Sequence, residues 1–125
     1  MKVPFVDLKA QYETIKTEIN ECIQAVINET AFIKGKYVAN FEKEFAEKYG
    51  VKYCIGLANG TDALYISQKA LGIGRGDEVI TVSNSWISTS ETITQAGAKP
   101  VFVDIERDFY NIDTTKIKSK ITKNT

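Results

Sequence analysis

Apolar residues at Tyr12, Ile15, Ile19, Cys22, Ile23, Val26 and Ile27 fall three and four positions apart, which predicts one long amphipathic helix over 12–27. The opposite face is charged and solvated. Gly35 breaks this period, and a second helix follows with Val38, Phe41, Phe45 and Tyr49 on one side until Gly50 stops it. The pattern then changes. A short apolar run over 53–58 predicts a strand, 60–71 a helix, 72–77 a glycine-rich turn, 78–82 a strand, 87–96 a helix and 100–105 a strand. Asp113 then caps a last short helix through about residue 121.

Strands separated by helices of this length require crossover connections and so a parallel sheet. The fold class is therefore α/β, a parallel-strand βαβαβ preceded by two helices. In such a sheet the strand ends near Ala58, Val82 and Asp104 share the carboxyl edge, where open α/β folds bind ligands. Three loops become one candidate site. The long leading helix has a single apolar stripe, which ordinarily covers the chain's own core; a dimer contact is the lesser expectation.

The first loop, Asn59-Gly60-Thr61-Asp62-Ala63-Leu64, turns from the 53–58 run into a helix. The first helical N–H groups have no intrahelical partner and stand at the positive end of the helix dipole, where phosphate binds well. Gly60 lets an oxygen approach the backbone without meeting a Cβ, and Thr61 adds a hydroxyl donor. Asn or Thr followed by Asp is also ordinary capping chemistry that binds nothing. In the second loop Trp86, the one tryptophan, stands just past a strand end. It can stack on a planar heteroaromatic ligand or simply pack. Ser88 and Glu91 have capping-box spacing, which would make the hydroxyls here helix starters. Asp104 opens the third loop; an acid beside a phosphate is repelled, so a loop salt bridge is its expected role.

Composition removes several classes of chemistry. Sixteen basic residues balance sixteen acidic ones in 125, about one domain's length, which gives no reason to expect nucleic acid or an anionic membrane as partner. There is no histidine, which excludes imidazole-based triads and most catalytic zinc sites, and no metal site is expected. Cys22 and Cys54 lie at apolar positions of predicted elements and are expected to be small buried hydrophobes in a reducing compartment. The first residues have no apolar leader and no run nears the roughly 18 apolar residues of a membrane span, so a soluble, cytoplasmic protein is expected.

Several of these motifs, in order, carry a resemblance. Phe32-Ile33-Lys34-Gly35-Lys36-Tyr37-Val38, Phe41-Glu42-Lys43-Glu44-Phe45-Ala46, the Asn59–Leu64 loop, Ala70-Leu71-Gly72-Ile73-Gly74, Gly76-Asp77-Glu78-Val79-Ile80 and Gly97-Ala98-Lys99-Pro100-Val101-Phe102-Val103-Asp104 resemble the amino-terminal part of the DegT/DnrJ/EryC1/StrS sugar aminotransferases. The resemblance covers essentially the whole chain. It implies the start of a fold type I pyridoxal-phosphate transferase large domain, over 36–125, preceded by a helical arm over 1–35, with the small domain absent. It further implies a homodimer with active sites near the subunit interface, and transfer of an amino group, usually from glutamate, to a nucleotide-linked keto-sugar in polysaccharide or deoxyaminosugar biosynthesis. Tyr110-Asn111-Ile112-Asp113 and Asn84-Ser85-Trp86 look most like members acting on dTDP-linked 3-keto-6-deoxyhexoses.

Carried over by position, the resemblance places the pyridoxal 5'-phosphate phosphate at Gly60, Thr61 and Asp62 through backbone N–H groups and the Thr61 hydroxyl, and the aromatic over the pyridine ring at Trp86. Pyridoxal chemistry also needs a lysine that holds the cofactor and a carboxylate that keeps its ring nitrogen protonated. In the family both lie beyond the position matching residue 125. No lysine or acid of this chain matches them, so the segment alone is expected to be inactive. Two other readings stay open: a sugar dehydratase of the same family, in which histidine replaces the lysine, and a noncatalytic α/β phosphate-binding module.

Overall fold

In a computed structural model that describes residues 3–125, Asp7 starts the first helix: its carboxylate accepts the Ala10 N–H at 2.9 Å, and α1 runs Leu8–Asn28. Past its end, the Glu29 carboxylate takes the Lys36 ammonium at 2.8 Å and the Tyr37 hydroxyl at 3.0 Å, tying the following turn to the start of α2, Lys36–Tyr49. Phe41, Phe45 and Tyr49 form an aromatic ladder along α2, with ring centroids 5.5 and 4.5 Å apart. Gly50 ends the helix in the left-handed conformation that glycine adopts without strain.

The chain divides into two compact units, one ending at Gly56 and the other beginning at Leu57. The second unit holds α3 (Gly60–Ala70), β1 (Glu78–Val82), α4 (Ser88–Ala96), β2 (Lys99–Val103) and α5 (Thr114–Ile117), which continues as a tight turn over Lys118–Lys120. β1 and β2 pair in parallel from Glu78 opposite Lys99 to Val82 opposite Val103, with α4 as their crossover. Pro100, which has no N–H to donate, sits within this ladder opposite Val79; β2 has no second strand beside it among the described residues. α4 packs against α3 and both strands, so the core collects around it: Ile93 is 2 % exposed, with Thr92, Ala96, Ala98 and Val103 also buried. Burying Ile93 alone contributes about 1.5–3 kcal/mol.

Both strands of the sheet and every helix fall where the periodicity predicts, with boundaries shifted by a few residues. Three expectations fail. The predicted strand over 53–58 is absent: a strand exists through its ladder, and the Gly56 N–H is taken instead by the Glu42 carboxylate at 2.7 Å. The sheet of the described residues thus has two strands, not three. Cys22 is exposed and Cys54 only half-buried, so neither is the buried small hydrophobe expected. The reason is shared with α1, which buries no residue at all: Ile15, Ile19, Ile23 and Ile27 stay exposed because the first unit offers only α2 to cover them, and α2 itself buries only Ala46. The apolar stripe does not cover this chain's own core.

Candidate functional site

Asn59 has extended backbone and caps α3: its side-chain oxygen accepts the Asp62 N–H at 2.9 Å, while its amide donates to the Asp62 carboxylate at 3.0 Å. The capping role considered for this loop is therefore real. It uses only part of the helix terminus. Neither the Gly60 nor the Thr61 N–H meets an acceptor among the described residues, and a Cβ at position 60 would stand in open space. The Asp62 N–H is the one that the cap occupies.

The second loop reaches this terminus through a side chain that the sequence pattern misassigned. Ile87 is the N-cap of α4, with no side-chain cap bond, so Ser88 and Glu91 form no capping box. Ser88 is instead the first residue of the helix, 6 % exposed, and its hydroxyl lies 2.9 Å from the Thr61 hydroxyl. One turn on, the fully buried Thr92 hydroxyl donates to the Ser88 carbonyl at 2.8 Å and accepts from the Gln68 side-chain amide at 3.1 Å. A continuous polar seam therefore joins α3 to α4 beneath the loops. The signal that could have found it is the pair of hydroxyls at 88 and 92, one helical turn apart on the buried face of α4.

Trp86 stands two residues before Ser88 and is 78 % exposed, so its ring is not spent on packing within this chain. Its carbonyl accepts the Thr89 N–H at 3.0 Å, and the Ser85 and Thr89 hydroxyls pair at 2.8 Å, which fixes the loop backbone while leaving the ring free. The structure thus brings Gly60, Thr61 and Asp62 together with the loop that carries Trp86. It does not bring Asp104 in: one carboxylate oxygen accepts the Ile105 N–H and the other meets Lys116 at 3.3 Å. Those two contacts hold the Asp104 carboxyl below its ordinary range, the backbone N–H contributing most. The loop salt bridge expected for this residue is what forms.

The donor set suits an anion. Two open N–H groups, a hydroxyl and a position without a Cβ converge on the N-terminus of an eleven-residue helix, and a flat exposed aromatic stands on the adjoining loop. Among the described residues no group of histidine, cysteine and acidic side chains could hold a metal, and no helix is long and apolar enough to cross a membrane. Within the second unit Lys69 lies in the last turn of α3 and Lys99 at the start of β2, both at the far ends of elements whose other ends face the loops.

The profile of the DegT/DnrJ/EryC1/StrS aminotransferase family matches residues 13–125. Among curated proteins, the chain is 46% identical over 98% of its length to the UDP-2-acetamido-2-deoxy-3-oxo-D-glucuronate aminotransferase of Pseudomonas aeruginosa, and 43% identical over 98% to the dTDP-3-amino-3,6-dideoxy-alpha-D-galactopyranose transaminase of Aneurinibacillus thermoaerophilus. It covers 34% of each, so the chain spans about a third of the length of these relatives. Among solved structures, S. venezuelae DesV in complex with a ketimine intermediate superposes with a TM-score of 0.94 at 35% identity, over 99% of this chain and 33% of that one.

Proposed function

We propose, since the chain belongs to the DegT/DnrJ/EryC1/StrS aminotransferase family, that it carries the phosphate seat of a pyridoxal-phosphate enzyme that moves an amino group from an amino acid, glutamate in this reading, onto a nucleotide-linked keto-sugar. The fold is that of the amino-terminal part of fold type I aminotransferases. The observation that carries the reading is the first turn of α3, whose Gly60 and Thr61 N–H groups meet no acceptor among the described residues, joined by Thr61 and Ser88 to the loop bearing Trp86. When bound, the cofactor supplies an electron sink for amino transfer. The work of this chain's own residues is binding and orientation. The Gly60 and Thr61 N–H groups and the Thr61 hydroxyl would hold the phosphate, Asn59 keeps the Asp62 N–H and so fixes the turn, and Trp86 would stack on the ring.

The lysine and the ring-nitrogen carboxylate that the reaction requires belong, in this reading, to residues outside 1–125. A homodimer and a cytoplasmic setting complete it; the uncovered apolar stripe of α1 supports the former. Both named relatives act on nucleotide sugars but on different ones, one UDP-linked and one dTDP-linked, so the class of substrate is proposed and not the sugar.

The test uses pyridoxamine 5'-phosphate and pyridoxamine as paired probes, with equilibrium dialysis on the protein as its gene encodes it. Gly60→Asp sets a carboxylate where the phosphate would sit, yet an acid in the first helical turn is tolerated by the helix. It should lower affinity for the phosphorylated probe by about tenfold or more and leave pyridoxamine nearly unchanged. Trp86→Ala should weaken both probes alike. Equal affinity of Gly60→Asp and the parent for pyridoxamine 5'-phosphate would refute the seat.

A further inference from the structure

We propose that Ser88 is a positioning residue for the anion seat: its hydroxyl donates to Thr61 Oγ1 and so turns the Thr61 hydroxyl proton outward, toward the ligand. The inference rests on the seat proposed above and adds to it a residue that touches no ligand. A hydroxyl has one proton, so in a pair 2.9 Å apart only one partner can donate to the other. Burial decides which. Ser88 is buried, and Thr61 Oγ1 is its hydroxyl's one hydrogen-bond partner among the described residues. If Thr61 were the donor, the Ser88 proton would be left without an acceptor in a desolvated place. With Ser88 as donor nothing is stranded, because Thr61 is only half-buried and its proton is free at the open end of α3.

The backbone around Ser88 makes this arrangement rigid. The Ser88 carbonyl is held by Thr92, which is itself held by Gln68 from α3, so the backbone that carries the serine hydroxyl is tied to the same helix as Thr61. A Thr61 hydroxyl that accepts from Ser88 keeps its own proton for an acceptor on the other side, and cooperativity along the pair strengthens that donation. Preorganisation of this kind acts on the phosphate alone. It should not alter how the seat meets a ligand that lacks one.

The experiment measures the ratio of pyridoxamine to pyridoxamine 5'-phosphate dissociation constants for the full protein and for Ser88→Ala, Ser88→Thr, Thr61→Val and the Ser88→Ala/Thr61→Val pair. Ser88→Ala should reduce the ratio about threefold to tenfold. Ser88→Thr, which keeps the hydroxyl, should retain it, and Ser88→Ala added to Thr61→Val should change nothing further. If Ser88→Ala does not fold, Ser88→Cys, close in size and a weak donor, reads the same quantity. An unchanged ratio in Ser88→Ala with a reduced one in Thr61→Val overturns the relay and leaves the seat intact. Unchanged ratios in both overturn the relay and remove the Thr61 hydroxyl from the seat, whose N–H groups Gly60→Asp tests separately. An equal loss with and without the Thr61 hydroxyl shows that Ser88 acts by packing and also overturns the relay.

Discussion

Gly97 closes α4 at φ 95°, a left-handed conformation in which its N–H reaches the Thr94 carbonyl at 3.0 Å and the Ala98 N–H the Ile93 carbonyl at 3.1 Å. A Cβ there would come within 3.4 Å of the Arg75 backbone nitrogen. Gly97→Ala should therefore destabilise the fold by about 1–2 kcal/mol in denaturant titration, and an unchanged midpoint would remove this strain argument. Gly60, at an ordinary backbone angle with open space around it, is a glycine for a different reason: it leaves room for something else. The sequence distinguishes the two roles, since one glycine follows a helical period and the other precedes one. What it does not distinguish is the use of a serine near a helix start. Ser88 with Glu91 three residues on matches a capping box, and only the position of Thr61 on another helix shows that its hydroxyl is used elsewhere.

Among the elements, the segment from Asp104 to Lys116 is held by charge more than by burial. Ile105 and Ile112 form an isolated antiparallel bridge, and Glu106 accepts N–H groups from Asp108, Phe109 and Asn111 inside it. Asp113 caps α5 through the Thr115 N–H at 3.1 Å, and Lys116 stands between Asp113 and Asp104 at 3.2 and 3.3 Å. The Thr115 hydroxyl and Lys116 hold the Asp113 carboxyl down, as the Ile105 N–H and Lys116 do for Asp104. Carboxyls depressed in the folded state contribute stability above their ordinary value of 3.8, and that contribution is lost as pH falls through the folded value. The raised Lys116 acts oppositely and loses its contribution only as pH rises past 10.5. Because Asp104 and Lys116 are exposed and Asp113 is only half-buried, the effect is modest and screened by salt. Thermal melts of the full protein should fall less steeply below about pH 4 in Asp104→Asn/Asp113→Asn than in the parent, since asparagine still caps the helix. Identical acid limbs would exclude these two carboxyls. The cap at Asp113 was legible from its residue type; the missing strand over 53–58 was not, because an apolar run states what a segment could bury and not which backbone will pair with it.

At the scale of the molecule, the buried apolar residues among those described are few and mostly small: Ala46, Ile93, Ala96, Ala98 and Val103. Isoleucines of α1, Phe41, Phe45 and Tyr49 of α2, and Phe102 of β2 remain exposed. Residues 1–125 produced alone should thus unfold over a broad range, bind a hydrophobic dye and transfer no amino group; a sharp cooperative melt or measured turnover would count against this. Family and fold were legible here because the motifs survive as short local strings. Their burial was not, since it depends on what surrounds them. α4 shows the same dependence on a smaller scale. It is the crossover between the two strands and also the carrier of Ser88 and Thr92, which face α3 one turn apart. A helix turns by roughly 100° per residue, so one residue gained or lost between Ser88 and Gly97 would swing the hydroxyl away from Thr61 while the strands held their places. Substitutions can accumulate at the exposed Glu91, Thr94 and Gln95 of α4, but its length is locked: insertions and deletions among descendants of this sequence must fall in the turns that flank it.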